Sequence, residues 1–293
     1  MIRDASTLRE ALERIAGGSV TVTSERPVGG GCIASGARIE ISGDGVYFVK
    51  RSSRLPGKMF EAEAAGLRAL GGGAGPRVPT VHACRPGPGE AFIVMEWIEP
   101  GPKTGGFDRA FGERLAAMHR RRDVEWFGFP EDNYIGSTLQ PNGWMDSWHD
   151  FYRERRVGFQ MRLARDKGLI GERTVADIES ILGRLESLLP APEYPSILHG
   201  DLWGGNYLAD SCGEAVLIDP ATYYGHREAD LAMTELFGGF GRGFYAAYRD
   251  AWPLEPGYRE RAPLYNLYHM LNHANIFGGS YVGSVQGIVR RYR

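Results

Sequence analysis

Apolar positions recur first at helical spacing, then in short runs bounded by glycine, then at helical spacing again. Leu8, Leu12 and Ile15 behind Ser6-Thr7 predict an amphipathic helix over Ser6 to Ala16, stopped by Gly17-Gly18. Val20 to Pro27, Ala37 to Ser42 and Val46 to Lys50 read as strands, the last two joined by a hairpin turn at Gly43-Asp44-Gly45. Met59, Ala62, Gly66, Leu67 and Leu70 share one helix face over Lys58 to Leu70, and Ala91 to Met95 is an apolar strand after a Gly/Pro-rich turn at Pro86 to Gly89. At Glu96 to Gly101 the pattern breaks. Beyond it, Phe107 to Arg120, residues 146 to 167 and 172 to 189, Gly243 to Tyr248 and Tyr258 to Phe277 are helical in period. Only Tyr207-Leu208 and Val216-Leu217-Ile218 interrupt them as short strands, around the polar turn Asp210 to Glu214. Residues 126 to 148, rich in aromatics, Asn and Gly, read as an ordered loop of the kind that carries recognition.

This distribution predicts an α+β protein of two lobes. A small antiparallel β-sheet lobe with a helix takes residues 1–96, a larger, mainly helical lobe takes 97–293, and the hinge lies at about 96–101. A chain of 293 residues is above the usual size of one small core, which fits that division. With 43% hydrophobic and 24% charged residues it has the composition of an ordinary globular protein. The net charge of −2 gives no electrostatic footprint for nucleic acid, and the one basic run, Arg120-Arg121-Arg122, falls at a helix end where cations suit the dipole. Cys32, Cys84 and Cys212 are odd in number and far apart, so neither a disulfide framework nor a zinc site is expected. No apolar stretch approaches the roughly 20 residues of a membrane span, and no signal-peptide pattern is present. The expectation is a cytoplasmic protein, monomer favoured, with no membrane or nucleic-acid partner.

The chemistry lies in His199-Gly200-Asp201-Leu202-Trp203-Gly204-Gly205-Asn206 and in Val216-Leu217-Ile218-Asp219-Pro220. A carboxylate and an amide stand five positions apart, and a second carboxylate follows thirteen positions later at the end of an apolar run. In protein-kinase-like enzymes a loop Asp at this spacing accepts the proton of the attacking hydroxyl, and the Asn and later Asp hold magnesium. The roles fall to Asp201 as base and to Asn206 and Asp219 as metal ligands. The intervening hairpin would bring the last two together, and a Mg2+ ion that keeps several waters needs only one or two such oxygens. His199 is expected to scaffold this loop, since one Asp base is enough, and Asp230 to brace it. His119 has no partner motif and reads as a core or capping residue.

Upstream features fit. Gly29-Gly30-Gly31-Cys32-Ile33 between two strands would let backbone N–H groups approach phosphate. The same run matches a dinucleotide fingerprint, but that motif must open a helix, whereas Gly36 to Ile41 reads as a strand. Lys50 ends an apolar strand and would hold the α/β-phosphates of ATP, aimed by a carboxylate of the next helix, which carries Glu61 and Glu63. Kinase-like families keep a glutamate at the position of Glu63, which selects it. Adenine would bind the hinge through main-chain groups, so Met95, Glu96 and Ile98 are assigned by analogy of position alone.

Together these residues resemble the aminoglycoside-phosphotransferase and choline-kinase branch of the protein-kinase-like fold. Gly200-Asp201-Leu202-Trp203-x-Gly205-Asn206 and the run from Asp219 to Met233 resemble fructosamine/ketosamine kinases within it. So do Phe127-Gly128-Phe129, Gln140-x-Asn142, Arg156 with Gln160, Phe237-Gly238-Gly239-Phe240 and Phe277-Gly278-Gly279. The resemblance implies ATP- and Mg2+-dependent phosphorylation of the 3-hydroxyl of a ketosamine, free or on a glycated protein, as a repair step. Trp203 would wall the sugar pocket or else anchor the loop. Gly204 stands where relatives often have Ser, and Asp219 is followed by Pro-Ala rather than the Phe-Gly of protein kinases. Cys32, at the tip of the glycine loop, is a candidate for redox sensitivity. Two other readings stay open: transfer to an aminoglycoside, a choline-like alcohol or another metabolite, and a nucleotide-binding module without transfer.

Overall fold

The computed structural model describes residues 1–29, 35–53, 58–87 and 90–293. It begins with helix α1 (Leu8–Ala16), capped by the Thr7 hydroxyl, which accepts from Glu10 N, and closed by Gly17 at a φ of 74°. Strands β1 (Val22–Val28), β2 (Ser35–Ile41) and β3 (Val46–Ser52) follow, then α2 (Met59–Leu70), β4 (Val81–Arg85) and β5 (Ala91–Glu96). The strands form one antiparallel sheet in the order β1-β2-β3-β5-β4. Strand β4 has no counterpart among the sequence expectations, because its five residues, Val-His-Ala-Cys-Arg, carry a weak alternation.

Strand β5 explains how the sheet is covered. Its run Ala-Phe-Ile-Val-Met is continuous because both faces are buried: Phe92 and Val94 pack under α1, while Ala91, Ile93 and Met95 pack under α2. In β3 the same alternation sends Val49 to the α1 side, so Phe48 and Lys50 point to the α2 side. A lysine on that face meets the helix beside it. At the β4 edge the main chain of Ile2 pairs with His82 and Cys84, which satisfies edge donors and acceptors.

Past Glu96 the chain is mainly helical: α3 (Phe107–His119), a hairpin of β6 (Asn133–Ile135) and β7 (Thr138–Gln140), then α4 (Trp148–Phe151), a π-turn (Tyr152–Val157) and α5 (Gly158–Asp166) in one unbroken run. The expected ordered loop thus contains a hairpin too short for periodicity to reveal. The expected helix over 172 to 189 divides at Gly183-Arg184 into α6 (Glu172–Leu182) and α7 (Leu185–Leu188). Strands β8 (Ser196–Leu198) and β11 (Tyr223–Gly225) pair with each other, as do β9 (Tyr207–Ala209) and β10 (Ala215–Leu217). Helices α8 (Glu228–Leu236), α9 (Arg242–Ala251), α10 (Tyr258–Phe277) and α11 (Val282–Tyr292) complete the chain.

One large core joins these helices. Helices α3 and α9 approach closely because Gly112 has no side chain; a Cβ there would lie 2.3 Å from the Phe244 carbonyl oxygen. Helices α8 and α10 are joined by a buried bidentate pair, Arg261 Nη2 and Nε donating to Glu228 at 2.6 and 2.8 Å. Arg156, on the π-turn, is fully buried with its guanidinium 3.9 Å from the Tyr223 ring centre, and it donates to the Pro141 carbonyl and to Asn142 Oδ1 at 2.8 and 2.7 Å. Among the described residues no helix is long and apolar enough to cross a membrane.

His226 is buried and accepts the Glu228 N–H at Nδ1, so the fold needs it neutral. Burial, with the Arg227 and Arg261 charges, pushes its pKa down to about 3. Between that value and the roughly 6.5 of a free histidine, the unfolded chain binds the extra proton, so stability rises with pH across this window and is lost on acidification. We expect the stability lost between pH 7 and pH 5, read from urea midpoints, to shrink by about 2 kcal/mol in His226→Phe relative to the unaltered chain. An equal loss in both proteins would show that the folded state accepts this proton freely.

Candidate active site

Three segments meet around Lys50. The lysine leaves β3, Glu63 sits one turn into α2, and Asp219 follows β10. Lys50 Nζ donates to Glu63 Oε1 at 2.7 Å and to Asp219 Oδ1 at 2.5 Å, with the lysine and glutamate side chains only 13% and 12% exposed. Burial works against the ammonium, but the two carboxylates outweigh it and hold Lys50 charged, with its pKa raised above the ordinary lysine value.

Asp201 and Asn206 lie on the loop between β8 and β9. Asn206 Nδ2 donates to the Asp201 carbonyl at 2.8 Å and to its Oδ2 at 3.0 Å, which leaves the amide oxygen free of that contact. The β9–β10 hairpin returns the chain beside it: the Ile218 N–H donates to the Asn206 carbonyl at 3.0 Å, so Asn206 and Asp219 stand at the paired ends of the hairpin. The hairpin is seated between Arg77, whose N–H donates to the Ala215 carbonyl, and Gly101, whose N–H donates to the Ala209 carbonyl. A Cβ at Gly101 would lie 2.4 Å from the Asp210 carbonyl oxygen, so the chain after Glu96 is pressed against the hairpin turn. Burial pushes the Asp201 carboxyl up to about 7; the Asn206 amide opposes this, and the Asp219 and Asp230 charges add to it. A carboxyl tuned to that range suits proton exchange near neutrality.

A buried brace holds the loop from below. Asp230 Oδ2 and Oδ1 accept the N–H groups of His199 and Gly200 at 2.7 and 2.8 Å, and Oδ2 lies 3.2 Å from His119 Nε2. His119 Nδ1 is 2.8 Å from the Tyr248 hydroxyl of α9, so His119 is fully buried in the brace rather than at a reacting position. Burial pushes Asp230 up, yet the His119 hydrogen bond and the Gly200 N–H outweigh it and keep the carboxyl below its ordinary value. His199 donates from Nε2 to the Ile218 carbonyl at 2.9 Å and accepts the Asp201 N–H at Nδ1 at 3.3 Å, a pattern that requires neutral imidazole. Gly200 has a φ of 83°, and a Cβ there would meet the Ala221 carbonyl oxygen at 2.0 Å, so no other residue fits the turn.

Met95 and Ile98 are buried, while the Glu96 carboxylate pairs with Arg77 and accepts the Thr80 N–H at 3.2 Å. Gly29 is exposed at the end of β1. Gly30, Gly31, Cys32 and Ile33 lie outside the described residues, and with them the redox expectation for Cys32. Cys84 and Cys212 are free thiols. Trp203 is 40% exposed and its ring covers Gly205. It opens a strip whose other rings had no role in the sequence expectations: Trp203 meets Phe237 edge-on at 6.2 Å, Phe237 meets His273 at 5.0 Å, and His273 meets Phe277 and Tyr281 at 5.7 and 5.1 Å. The Phe-Gly-Gly repeats at 237 and 277 were the available signal, and nothing in their spacing says that they converge on Trp203. Gly204 lies against Gly239, where a Cβ on Gly239 would be 2.7 Å from the Gly204 Cα.

Among the described residues no cluster of three or more His, Cys, Asp or Glu is arranged to hold a metal ion. Asn206 and Asp219 instead offer one amide and one carboxylate oxygen, a hard-oxygen pair that fits a magnesium ion keeping waters and phosphates as its other ligands.

The fructosamine kinase family model matches residues 5–293. The chain belongs to the fructosamine kinase family. This family member is 41% identical over 286 residues to a "probable ketoamine kinase" of Synechocystis sp., covering 97% of this chain and 95% of that one. It is 40% identical to the chloroplastic protein-ribulosamine 3-kinase of Arabidopsis thaliana, covering 94% of this chain and 84% of that one. The crystal structure of a "putative fructosamine-3-kinase" from Thermobifida fusca superposes with a TM-score of 0.86 at 34% identity, covering 98% of both chains. An aminoglycoside phosphotransferase in ternary complex with AMP-PNP and hygromycin B shares the kinase-like fold at a TM-score of 0.65 and 16% identity, covering 98% of this chain and 99% of that one.

Removing the Asp230 charge strips an acceptor from two buried N–H groups and from His119. Asp230→Ala should lower stability by about 3 kcal/mol or more in urea unfolding. A loss below about 1 kcal/mol would mean that these donors find water instead.

Proposed function

We propose that the protein is an ATP- and magnesium-dependent kinase that phosphorylates the 3-hydroxyl of ketosamines, with ribulosamine or fructosamine on lysine as acceptor. The observation that carries this reading is the meeting of Lys50, Glu63 and Asp219 beside the Asp201–Asn206 pair. In this reading residues 1–96 form the nucleotide lobe and 97–293 the catalytic lobe, hinged at about 96–101. Lys50 holds the α/β-phosphates, Gly29 lies on their side of the sheet lobe, and Met95, Glu96 and Ile98 border the base. Asp201 takes the proton of the acceptor hydroxyl as its oxygen bonds to the γ-phosphorus and the bond from that phosphorus to the bridging oxygen of ADP breaks. Asn206 and Asp219 would hold the divalent ion, which when bound neutralises charge on the phosphates. His199 and Asp230 keep the loop in place.

The acceptor assignment is supported by family membership and by exposed Trp203 two positions from Asp201, an aromatic face suited to a sugar ring. A 3-phosphate on the ketosamine favours loss of the sugar, which makes the reaction a repair step on free or protein-bound glycated amines. Free thiols at Cys84 and Cys212 are in keeping with a reducing, cytoplasmic setting, and we take the monomer as the working unit.

Two measurements test this. ATP consumption and phosphorus NMR with ribulosyl-lysine, fructosyl-lysine and kanamycin should show transfer to a ketosamine; transfer to kanamycin alone would reassign the acceptor, and ATP binding without any transfer would leave a nucleotide-binding module. Asp201→Ala should lower turnover by about a hundredfold or more while changing ATP affinity little, since the base acts in the transition state. Unchanged turnover removes Asp201 from that role.

A further inference from the structure

Asp219 has a φ of 55°, a left-handed conformation for a residue that is not glycine. The next residue is Pro220, whose ring disfavours helical geometry in the residue before it. Such a backbone persists only where its surroundings hold it. The residues that follow are held by a chain of amides: Asn133 Nδ2 donates to the Thr222 carbonyl at 2.7 Å, Gln140 Nε2 donates to the Ala221 carbonyl at 3.0 Å and to Asn133 Oδ1 at 2.6 Å, and the Tyr268 hydroxyl donates to Gln140 Oε1 at 2.6 Å. Helix α2 meets the same segment through Gly66. A Cβ there would lie 2.9 Å from Thr222 Oγ1 and 3.3 Å from Pro220 Cγ, and the Thr222 hydroxyl is buried without a hydrogen-bond partner among the described residues.

We propose that Gly66, with the Asn133–Gln140 amide pair, positions Asp219 against Lys50 and Glu63 by seating α2 directly on the Pro220–Thr222 segment. Glu63 and Gly66 stand three residues apart on one helix, so the height at which α2 rests on Thr222 fixes the Glu63 carboxylate. The amide chain fixes the carbonyls that follow Asp219. Both partners of Lys50 are therefore set by one contact, and a single added methyl at Gly66 lifts one partner away from the other. Neither Gly66 nor Thr222 touches the reacting atoms in this reading, which rests on Asp219 as the carboxylate that faces the metal nucleotide.

The test is Gly66→Ala, Thr222→Ala and their combination. Alanine is the better helix former, so α2 itself is not weakened. In Gly66→Ala, kcat/KM for ATP should fall about tenfold or more, mainly through KM, from misplacement of the phosphate-holding groups. Hydrogen exchange of the amides at 221–223 in nucleotide-free protein should quicken. Adding Thr222→Ala removes the nearest atom that the new methyl meets, leaving Pro220 Cγ and Thr222 Cβ at 3.3 Å, and should return the larger part of both losses. Parent-like kinetics and exchange in Gly66→Ala, or a loss that Thr222→Ala leaves in place, overturns the inference. Should Gly66→Ala not fold, Asn133→Ala decides, since it adds no atoms: faster exchange at 221–223 with a raised KM for ATP supports the device, and unchanged exchange overturns it. Exchange is read without nucleotide or acceptor, so a failure of the ketosamine assignment leaves this result standing.

Discussion

A buried ammonium must be matched by carboxylates, and Lys50 is matched by two that come from distant parts of the chain. Glu63 lies 13 residues ahead on α2, and Asp219 lies 169 residues ahead, past α3 to α7 and just after β10. Desolvating the lysine is affordable only while both are present, so the sheet, the helix beside it and the β9–β10 hairpin are obliged to meet at this point. The rest of the architecture can be read as the means of delivering those carboxylates.

Two layers of buried polar groups make that delivery rigid. One is the Asp230 brace, which satisfies two consecutive N–H groups of the His199–Gly200 turn and reaches α3 and α9 through His119 and Tyr248. The other is the amide chain from Tyr268 through Gln140 and Asn133 to the carbonyls of Ala221 and Thr222. Both are low-dielectric networks whose members are costly to leave unpaired, so each favours one arrangement of its loop. Asp201 and Asp219 lie at the outer side of these networks, half-buried rather than buried.

Some of this was legible along the chain. Strand alternation and helical period located the sheet strands β1, β2, β3 and β5 and the main helices, because burial of one face imposes a period. They missed β4, β8, β11, the β6–β7 hairpin and α11, whose runs are short or whose apolar positions are few, and α8, which is buried on every face from Glu228 to Thr234 and so shows no one-sided period; α11 buries only Val285 and Val289 fully. The Asp201, Asn206 and Asp219 spacing was legible because a loop and a hairpin of fixed length join them. Gln140 and Arg156 could be singled out as a pattern, but their work could not, since each acts on residues about 80 and 70 positions away.

The sequence by itself determined most strands and helices, the spacing of Asp201, Asn206 and Asp219, and the family, because periodicity, turn chemistry and short motifs are local. Only the tertiary structure decided that Lys50 is shared between two carboxylates, that Gly66 of α2 lies against Pro220 and Thr222, and that Trp203, Phe237, His273 and Phe277 form one strip. Those facts are distances between residues far apart in the chain, and a distance of that kind is settled by the packing of the cores between them.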